Sequence, residues 1–304
     1  MGSASNGRIM TEQTYNYSEI FDSIQGEGQY TGRPTAWMRF FLCNLQCNGF
    51  GQEDPTNPDT YQLPYKDIDL IGIKNMEELP VFEFGCDSSY SWSKKFKHLQ
   101  RNGTAVEIAD KVRERFTNKW NNGKWNDRHM CFTGGEPFMK HAQICSMNMM
   151  KHWINERDYP RFVTYETNGT QTIRPEVVEF WQEYRDVWGS ELFISCSPKL
   201  FNVSGETTKR AIRPEVVEKY QMFTNTGQLK FVVDGKPETW KELEDTIEAF
   251  RDHHVHWPIW IMPVGATVEG QKLVDGDVAA EAFKRGYNVA ARVHTYLWGN
   301  LIGV

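Results

Sequence analysis

"HMCFTGGEPFMKHAQICSMNMMKHWI" (residues 129–154) decides the fold class of this chain. Its first five residues form a short apolar run that is typical of a buried strand, and the run ends at Gly134 and Gly135. The part from His141 to Ile154 is typical of a helix, and Pro137 suits the turn that precedes it. The stretch therefore predicts a strand and a helix joined by a glycine-rich turn.

The same alternation continues on both sides of this unit. The predicted strands are 36–43, 129–133, 161–167, 192–197, 229–234, 258–264 and 289–298. The predicted helices are 104–116, 141–154, 174–184, 213–223, 237–253 and 276–285. Strands that alternate with helices predict an α/β fold with a mainly parallel sheet. We expect a partial (βα) barrel of about six to seven strands with outer helices, and a flavodoxin-like open sheet is the alternative.

Composition and charge exclude several classes of protein. The chain has 304 residues, 39% of them hydrophobic, which is enough for a large core. A formal net charge of −6 weighs against a broad nucleic-acid-binding surface, and no apolar run is long enough to predict a membrane span. Residues 1–10 resemble an expression-vector leader rather than a targeting peptide. We therefore expect one domain at 11–304, located in the cytoplasm, with no membrane or direct nucleic-acid partner.

Three of the six cysteines stand out by their positions. A disulfide framework is not expected in a reducing cytoplasm, so metal binding or burial explains the cysteines better. Cys43 and Cys47 have the spacing of an iron–sulfur loop, but Phe50 occupies the place of the third thiol. The third candidate is Cys86, which follows a proline-rich, acidic segment at 48–85. The residues alone leave open an iron–sulfur cluster, a structural zinc site with an added histidine, or burial. The other cysteines are expected to be packing residues.

The chain resembles the 7-carboxy-7-deazaguanine synthase family of radical S-adenosylmethionine (SAM) enzymes. The resemblance rests on five segments: SEIFDSIQGEGQYTGRPTAWMRFFLC (18–43), CFTGGEPFM (131–139), ETNGT (166–170), SCSPK (195–199) and RVHTYLWGNLIGV (292–304). If 48–85 is an insertion, Cys43, Cys47 and Cys86 complete the family's cysteine motif. The resemblance implies a partial barrel of the radical SAM type. It also implies the ring contraction of 6-carboxy-5,6,7,8-tetrahydropterin to 7-carboxy-7-deazaguanine, with loss of ammonia, on the route to deazapurines such as queuosine.

The resemblance also implies the cofactors and their residues. A [4Fe–4S] cluster on the three thiolates would bind SAM at its open iron, and its reduction would yield a 5′-deoxyadenosyl radical that takes hydrogen from C6 of the pterin. The residues assigned to SAM by resemblance are Asp87, Gly134, Gly135, Glu136, Glu166, Ser197 and Lys199. Mg²⁺ is expected at the hydroxyl of Ser88, where the family has threonine.

The substrate residues follow from the same resemblance. They are Ile24, Gln25, Gly26, Glu27, Arg39, Thr133, His294 and Val304. Gln25 and Glu27 would hydrogen-bond the heterocycle, and the planar guanidinium of Arg39 would pair with the substrate carboxylate. The implied partners are a one-electron donor such as flavodoxin and a second copy of the chain in a homodimer. Two rival interpretations are a glycyl-radical activating enzyme, which would not need the SIQGEG segment, and a zinc-binding protein without enzymatic activity.

Overall fold

The structure of the protein is a computed structural model that describes residues 13–303. The leader-like residues 1–10 and Val304 lie outside this range. Residues 13–303 contain nine strands in one sheet: β1 (Thr14–Ile24), β2 (Pro34–Phe40), β3 (Arg101–Thr104), β4 (His129–Gly134), β5 (Phe162–Thr167), β6 (Glu191–Cys196), β7 (Thr226–Val233), β8 (Ile259–Pro263) and β9 (Asn288–Val289).

The sheet is mainly parallel, and its strand order is β3-β1-β2-β4-β5-β6-β7-β8-β9. The strands from β2 to β9 in this order pair in parallel, whereas β1 pairs antiparallel with both β2 and β3. The parallel strands follow chain order without the reversal that a flavodoxin-like sheet has. The predicted α/β fold, a partial barrel with outer helices, is therefore confirmed. The sheet remains open between its edge strands, and β1 and β3 extend it beyond the predicted strand number.

Eleven α-helices lie among the described residues: α1 (Pro64–Asp67), α2 (Ala105–Phe116), α3 (Lys140–Asn155), α4 (Pro175–Asp186), α5 (Phe201–Ser204), α6 (Thr208–Ala211), α7 (Pro214–Tyr220), α8 (Pro237–Asp252), α9 (Val268–Lys272), α10 (Asp275–Lys284) and α11 (Val293–Trp298). Local signals explain several helix starts. Proline occupies the first turn of α4, α7 and α8, and Thr104 forms a capping box with Glu107 at the start of α2. None of the helices in this part of the chain has the length and apolar character needed to cross a membrane.

The main core lies between the sheet and the outer helices. Its large buried side chains include Trp181 of α4, whose ring packs edge-on against Tyr165 of β5 at 5.6 Å between centroids. Cys145 and Cys196 belong to this core, and Cys131 packs in a smaller cluster with two aromatic side chains. The expected burial of these three cysteines is confirmed.

The C-terminal part of the fold differs from the sequence prediction. The apolar pattern predicts a strand at 289–298, but β9 has only two residues and is followed by helix α11. The prediction is wrong because the apolar residues of this stretch resemble a strand pattern, although the glycine that follows them is a helix stop signal. Gly299 has a φ of 65° and ends α11 in the left-handed conformation that favours glycine. His294 therefore lies on a helix rather than on a strand.

The 48–85 segment packs onto the domain through a small core of its own. It contains α1 and two short 3-10 turns, at Pro58–Thr60 and Met76–Glu78. Eight buried side chains form this second core: Phe41, Tyr65, Met76, Leu79, Phe82, Tyr90, Phe96 and Leu99. Half of them come from the segment, so its apolar residues are sequestered together with those of the flanking chain.

Truncation of Met76 tests whether this second core contributes to global stability. Met76 is fully buried, so Met76→Ala should lower the free energy of unfolding by about 2–5 kcal/mol. Ile71 belongs to the same segment but is 89% exposed, and Ile71→Ala should change the free energy by less than about 0.5 kcal/mol. Urea denaturation of both variants measures the difference. Equal, small effects would show that the segment unfolds independently of the domain.

Candidate active site

One large cavity opens at the carboxyl ends of the parallel strands. Its wall includes Arg39 of β2, Thr133 of β4, Glu166 of β5, Ser195 of β6 and Lys230 of β7. Parallel strands bring their carboxyl ends to the same edge of a sheet, so residues that are distant in sequence meet there. This is where the loops that follow the strands of a barrel assemble a functional site.

The structure brings nearly all of the predicted site residues to this cavity. The ones that line it are Ile24, Gln25, Gly26, Glu27, Arg39, Cys43, Cys47, Cys86, Asp87, Ser88, Thr133, Gly134, Gly135, Glu166, Ser197, Lys199 and His294. Glu136 lies behind the wall, and Val304 lies outside the described residues. The individual roles of these residues remain predictions.

The three candidate thiols lie at one end of the cavity. Cys43, Cys47 and Cys86 all line it and pack in one apolar cluster around Leu45. The loop that carries the first two is conformationally strained, because Leu42 and Cys47 have positive φ angles of 93° and 52°. Such backbone conformations cluster at functional sites.

Cys86 reaches the other two cysteines because the 48–85 segment closes at its base. The amide of Gly85 donates a hydrogen bond to the carbonyl of Phe50 at 2.7 Å. A side chain at Gly51 would come within 2.8 Å of the Glu83 carbonyl, so the two arms of the segment run in close contact. The residues between them loop out from the cysteine site.

The three thiols are spaced more widely in this structure than the ligands of one metal ion. Within residues 13–303, the three sulfur atoms do not all lie within 4.8 Å of one another. The sulfur ligands of one tetrahedral zinc ion would be about 3.8 Å apart. Burial raises the pKa of Cys43 to about 12 and raises the pKa values of Cys47 and Cys86. Binding of a metal centre therefore has to displace thiol protons.

The glycine-rich turn after β4 packs directly on the cysteine loop. The amide of Gly135 donates to the Phe40 carbonyl at 3.2 Å, and that of Glu136 donates to the Leu42 carbonyl at 2.9 Å. A Cβ atom at Gly135 would lie 2.2 Å from the Leu42 oxygen and 2.9 Å from Cβ of Cys43. Glycine is required there because the two backbones approach so closely.

Glu136 holds two loops together rather than lining the cavity. It is fully buried and accepts hydrogen bonds from the Thr167 hydroxyl and from the amides of Phe138 and Asn168, at 2.7–2.9 Å. Burial raises its pKa to about 7 in spite of these donors. In this conformation its carboxylate fixes the turn after β5 against the turn after β4.

Glu166 places a carboxylate in the cavity wall at the end of β5. It accepts hydrogen bonds from the Gln25 side-chain amide and from the Thr133 hydroxyl, both at 3.3 Å. The Lys199 ammonium donates to the Ser197 hydroxyl at 2.9 Å nearby. The carboxylate of Glu166 and the ammonium of Lys199 each have more hydrogen-bonding capacity than these contacts use, so both can also bind a ligand.

Four charged side chains form a network in the cavity wall. Glu27 pairs with Lys230 and with Arg292, and Arg292 also donates to Asp87 at 2.6 Å. Burial alone would raise the pKa of Glu27, but Lys230, Arg292 and His294 outweigh it and hold that pKa well below its usual range. Arg292 and Arg39 likewise lower the pKa of Asp87 against the effect of burial. Both carboxyl groups are therefore ionised at neutral pH.

Arg39 belongs to a second buried charge cluster. Its Nε donates to Glu19 at 2.6 Å, and the Tyr90 hydroxyl donates to the same carboxylate oxygen at 2.8 Å. The terminal nitrogens of Arg39 have no hydrogen-bond partner within residues 13–303 and lie in the cavity wall. They can therefore receive an anionic group of a ligand.

The ring of His294 occupies the space that a side chain at Gly26 of the QGEG turn would need. A Cβ atom at Gly26 would lie 1.9 Å from Nδ1 of His294, so only glycine lets the ring pack against this turn. Burial and the charge of Arg292 lower the pKa of His294 to about 4. The imidazole is therefore neutral at pH 7.

Sequence reasoning missed Lys230 and Arg292. Lys230 is 5% exposed and Arg292 is 7% exposed, and both line the cavity. The one available signal for Lys230 was a charged residue inside the apolar strand LKFVVD. Arg292 lay in a segment that was predicted to be a strand, which gave no reason to place it in the site.

Comparisons with known proteins identify relatives that carry one name. A protein of Haemophilus influenzae named 7-carboxy-7-deazaguanine synthase is 53% identical over 166 residues, which are 55% of this chain and 51% of that protein. A protein of Rhodopirellula baltica with the same name is 23% identical over 297 residues, which are 96% of this chain and 90% of the relative. The crystal structure of QueE from Escherichia coli matches with a TM-score of 0.53 and 16% identity, over 96% of this chain and 100% of that one. No protein-family model matches the chain.

The fold and the thiol site together define an enzyme of the radical SAM class. A partial barrel carries three cysteine thiols and a glycine-rich turn at the carboxyl ends of its strands. Within this class, the chain is similar in sequence to the proteins named 7-carboxy-7-deazaguanine synthase.

His294 should make the stability of the protein depend on pH. Its pKa is lower in the folded protein than in the unfolded chain, so the unfolded state takes up the proton first as the pH falls. The wild type should lose about 2 kcal/mol relative to His294→Gln between pH 7.5 and pH 5. Denaturant unfolding at both pH values measures this change. His256→Gln, which removes an exposed histidine, is the control. Parallel behaviour of wild type and His294→Gln would contradict the buried, neutral ring.

Proposed function

We propose that this protein catalyses the ring contraction of 6-carboxy-5,6,7,8-tetrahydropterin to 7-carboxy-7-deazaguanine with release of ammonia. The observation that carries the proposal is the meeting, in one cavity, of three thiols with the polar residues Gln25 and Arg39. Similarity to relatives named 7-carboxy-7-deazaguanine synthase supports the same reaction. Deazapurines such as queuosine contain the ring system that this reaction produces.

The three thiols fit a [4Fe–4S] cluster. Cys43, Cys47 and Cys86 are the donor set that such a cluster needs when one iron is left open, and they are spread around one end of the cavity. When bound, the cluster supplies the electron that starts the radical chemistry of SAM. The contribution of the protein is to hold the loop that bears Cys43 and Cys47 against the glycine-rich turn.

Positioning of SAM falls to the residues near the thiols. We assign it to Asp87, Gly134, Gly135, Glu166, Ser197 and Lys199 as cavity-lining residues, with Glu136 beside them. Gly134 and Gly135 allow close approach of a ligand to the backbone. In the described conformation Glu136 would contribute by fixing the turns after β4 and β5.

We assign positioning of the pterin to a second group of cavity-lining residues. Arg39 offers its free terminal nitrogens to the substrate carboxylate, while Gln25 and Glu27 offer polar atoms to the edge of the heterocycle. Ile24, Gly26, Thr133 and His294 complete this group of cavity-lining residues. We also assign Val304, which lies outside the described residues, to the substrate. Lys230 and Arg292 hold the Glu27 carboxylate ionised, so it acts as a hydrogen-bond acceptor.

Further proposals rest on the family resemblance. We assign Mg²⁺ to the Ser88 hydroxyl, which lines the cavity within 3.5 Å of the Cys86 sulfur. An electron donor such as flavodoxin, a homodimeric state and a cytoplasmic location complete the proposed function.

The proposed reaction can be tested directly. Anaerobically purified protein should be brown and should convert 6-carboxytetrahydropterin to the carboxydeazaguanine product when supplied with SAM and a strong reductant. Cys43→Ala should abolish both colour and turnover because one ligand of the cluster is lost. Cys145→Ala, in the core helix α3, should retain both and serves as the control. Product is measured by mass spectrometry, and iron by colorimetric assay.

A colourless wild-type protein that holds one zinc ion would refute the enzymatic proposal. A brown protein that cleaves SAM but leaves the pterin unchanged would refute the substrate assignment alone. In that case a glycyl-radical activating enzyme would be the better interpretation.

The Ser88 hydroxyl should determine the requirement for Mg²⁺. Mg²⁺ prefers oxygen ligands, so Ser88→Ala should raise the Mg²⁺ concentration for half-maximal activity at least several-fold. Ser88→Thr keeps the hydroxyl and should stay close to the wild type. The measurement is a Mg²⁺ titration of product formation after chelation. Activity that is insensitive both to chelation and to Ser88→Ala would show that the assignment is wrong.

A further inference from the structure

Glu206 touches the cysteine loop, although none of the recognised motifs contains it. It follows α5 and is 6% exposed. One carboxylate oxygen of Glu206 accepts hydrogen bonds from the amides of Gln46 at 2.6 Å and Cys47 at 3.0 Å. A single buried carboxylate therefore holds two successive amides of the loop that carries two of the thiols.

The same carboxylate stabilises the unusual conformation of Cys47. The φ of 52° at Cys47 is disfavoured for a residue with a side chain, so a compensating interaction is needed. Arg210 of α6 joins the arrangement, because it pairs with Glu206 at 3.2 Å and donates to the Asn44 carbonyl at 2.6 Å. Glu206 and Arg210 together therefore hydrogen-bond the backbone of the loop at residues 44, 46 and 47.

Glu206 also places a negative charge beside a predicted cluster ligand. Its side chain is 7% exposed, whereas that of its partner Arg210 is 57% exposed. Water screens the exposed guanidinium more strongly than the buried carboxylate, so the compensation at Cys47 is incomplete. Reduction of a cluster adds one electron and thus one negative charge at this place. A nearby fixed negative charge opposes that addition.

We infer that Glu206 is a positioning residue that fixes the Cys47 loop and lowers the reduction potential of the cluster. The inference rests on the proposed function, since it requires a cluster on Cys43, Cys47 and Cys86. Glu206 acts through the loop and through its charge, and it does not touch the substrate.

Two substitutions separate the role of the charge from the role of the hydrogen bonds. Glu206→Gln keeps an oxygen acceptor and removes the charge, so it should retain the cluster and shift its midpoint potential to a more positive value. Glu206→Ala removes the acceptor and should lower the iron content per chain. The proteins are reconstituted anaerobically with iron and sulfide. Dithionite titration followed by electron paramagnetic resonance gives the potential.

Two further variants serve as matched controls. Glu215→Gln makes the same charge change on α7, where Glu215 pairs with Arg213 and is 42% exposed, and it should leave the potential unchanged. Arg210→Gln removes the compensating cation and should shift the potential in the negative direction. This variant tests the charge effect even if Glu206→Gln cannot hold a cluster.

The outcomes distinguish the inference from the proposed function. A wild type that binds no cluster would overturn both. A wild type with a cluster whose potential and iron content do not change in Glu206→Gln, Glu206→Ala and Arg210→Gln would overturn the inference and leave the proposed function intact. A shift of equal size in Glu215→Gln would also overturn it, because the effect would then be one of net charge.

Discussion

The thiol site depends on closure of the 48–85 segment at its base, where the Gly85 amide bonds to the Phe50 carbonyl. Lengthening a connection from about two residues to the length of this segment costs about 2–3 kcal/mol of loop-closure entropy. Burial of one large apolar side chain contributes about 1.5–3 kcal/mol. The segment supplies four side chains to the second core, and their burial offsets the loop-closure term. A long excursion is therefore compatible with a compact cysteine site.

The site also requires that the charged side chains in its wall compensate one another. Glu27, Asp87, Lys230 and Arg292 lie together in the cavity wall, and their formal charges sum to zero. An isolated carboxylate in this environment would become protonated, because burial disfavours its charged form. Here each acid contacts at least one base, so the cavity keeps ionised groups without an uncompensated charge. Removal of Arg292 would leave Asp87 without this ion-pair partner, and removal of Glu27 would leave Lys230 without its own.

Much of this architecture is predictable because it has a local signature. A parallel strand such as β4 is buried on both faces, so it appears as an apolar run that ends in a glycine turn. The edge strand β3 is only Arg101–Thr104 and has no apolar run, so it escapes detection. Lys230 and Arg292 were missed for another reason. Their carboxylate partners lie 203 and 205 residues away, and no local pattern encodes such a pairing.

The C-terminal tail connects the second core with the cavity. Ile302 packs against the second core, and a side chain at Gly303 would come within 2.9 Å of Glu77 in the 48–85 segment. The residues from 300 to 303 also line the cavity, and Asn300 accepts a hydrogen bond from Arg292 at 3.5 Å. The 48–85 segment therefore contributes to the cavity in two ways. Its base delivers Cys86 to the thiol site, and its core packs against the tail whose residues 300–303 line the same cavity. A change in the packing of this segment therefore affects two parts of the cavity wall.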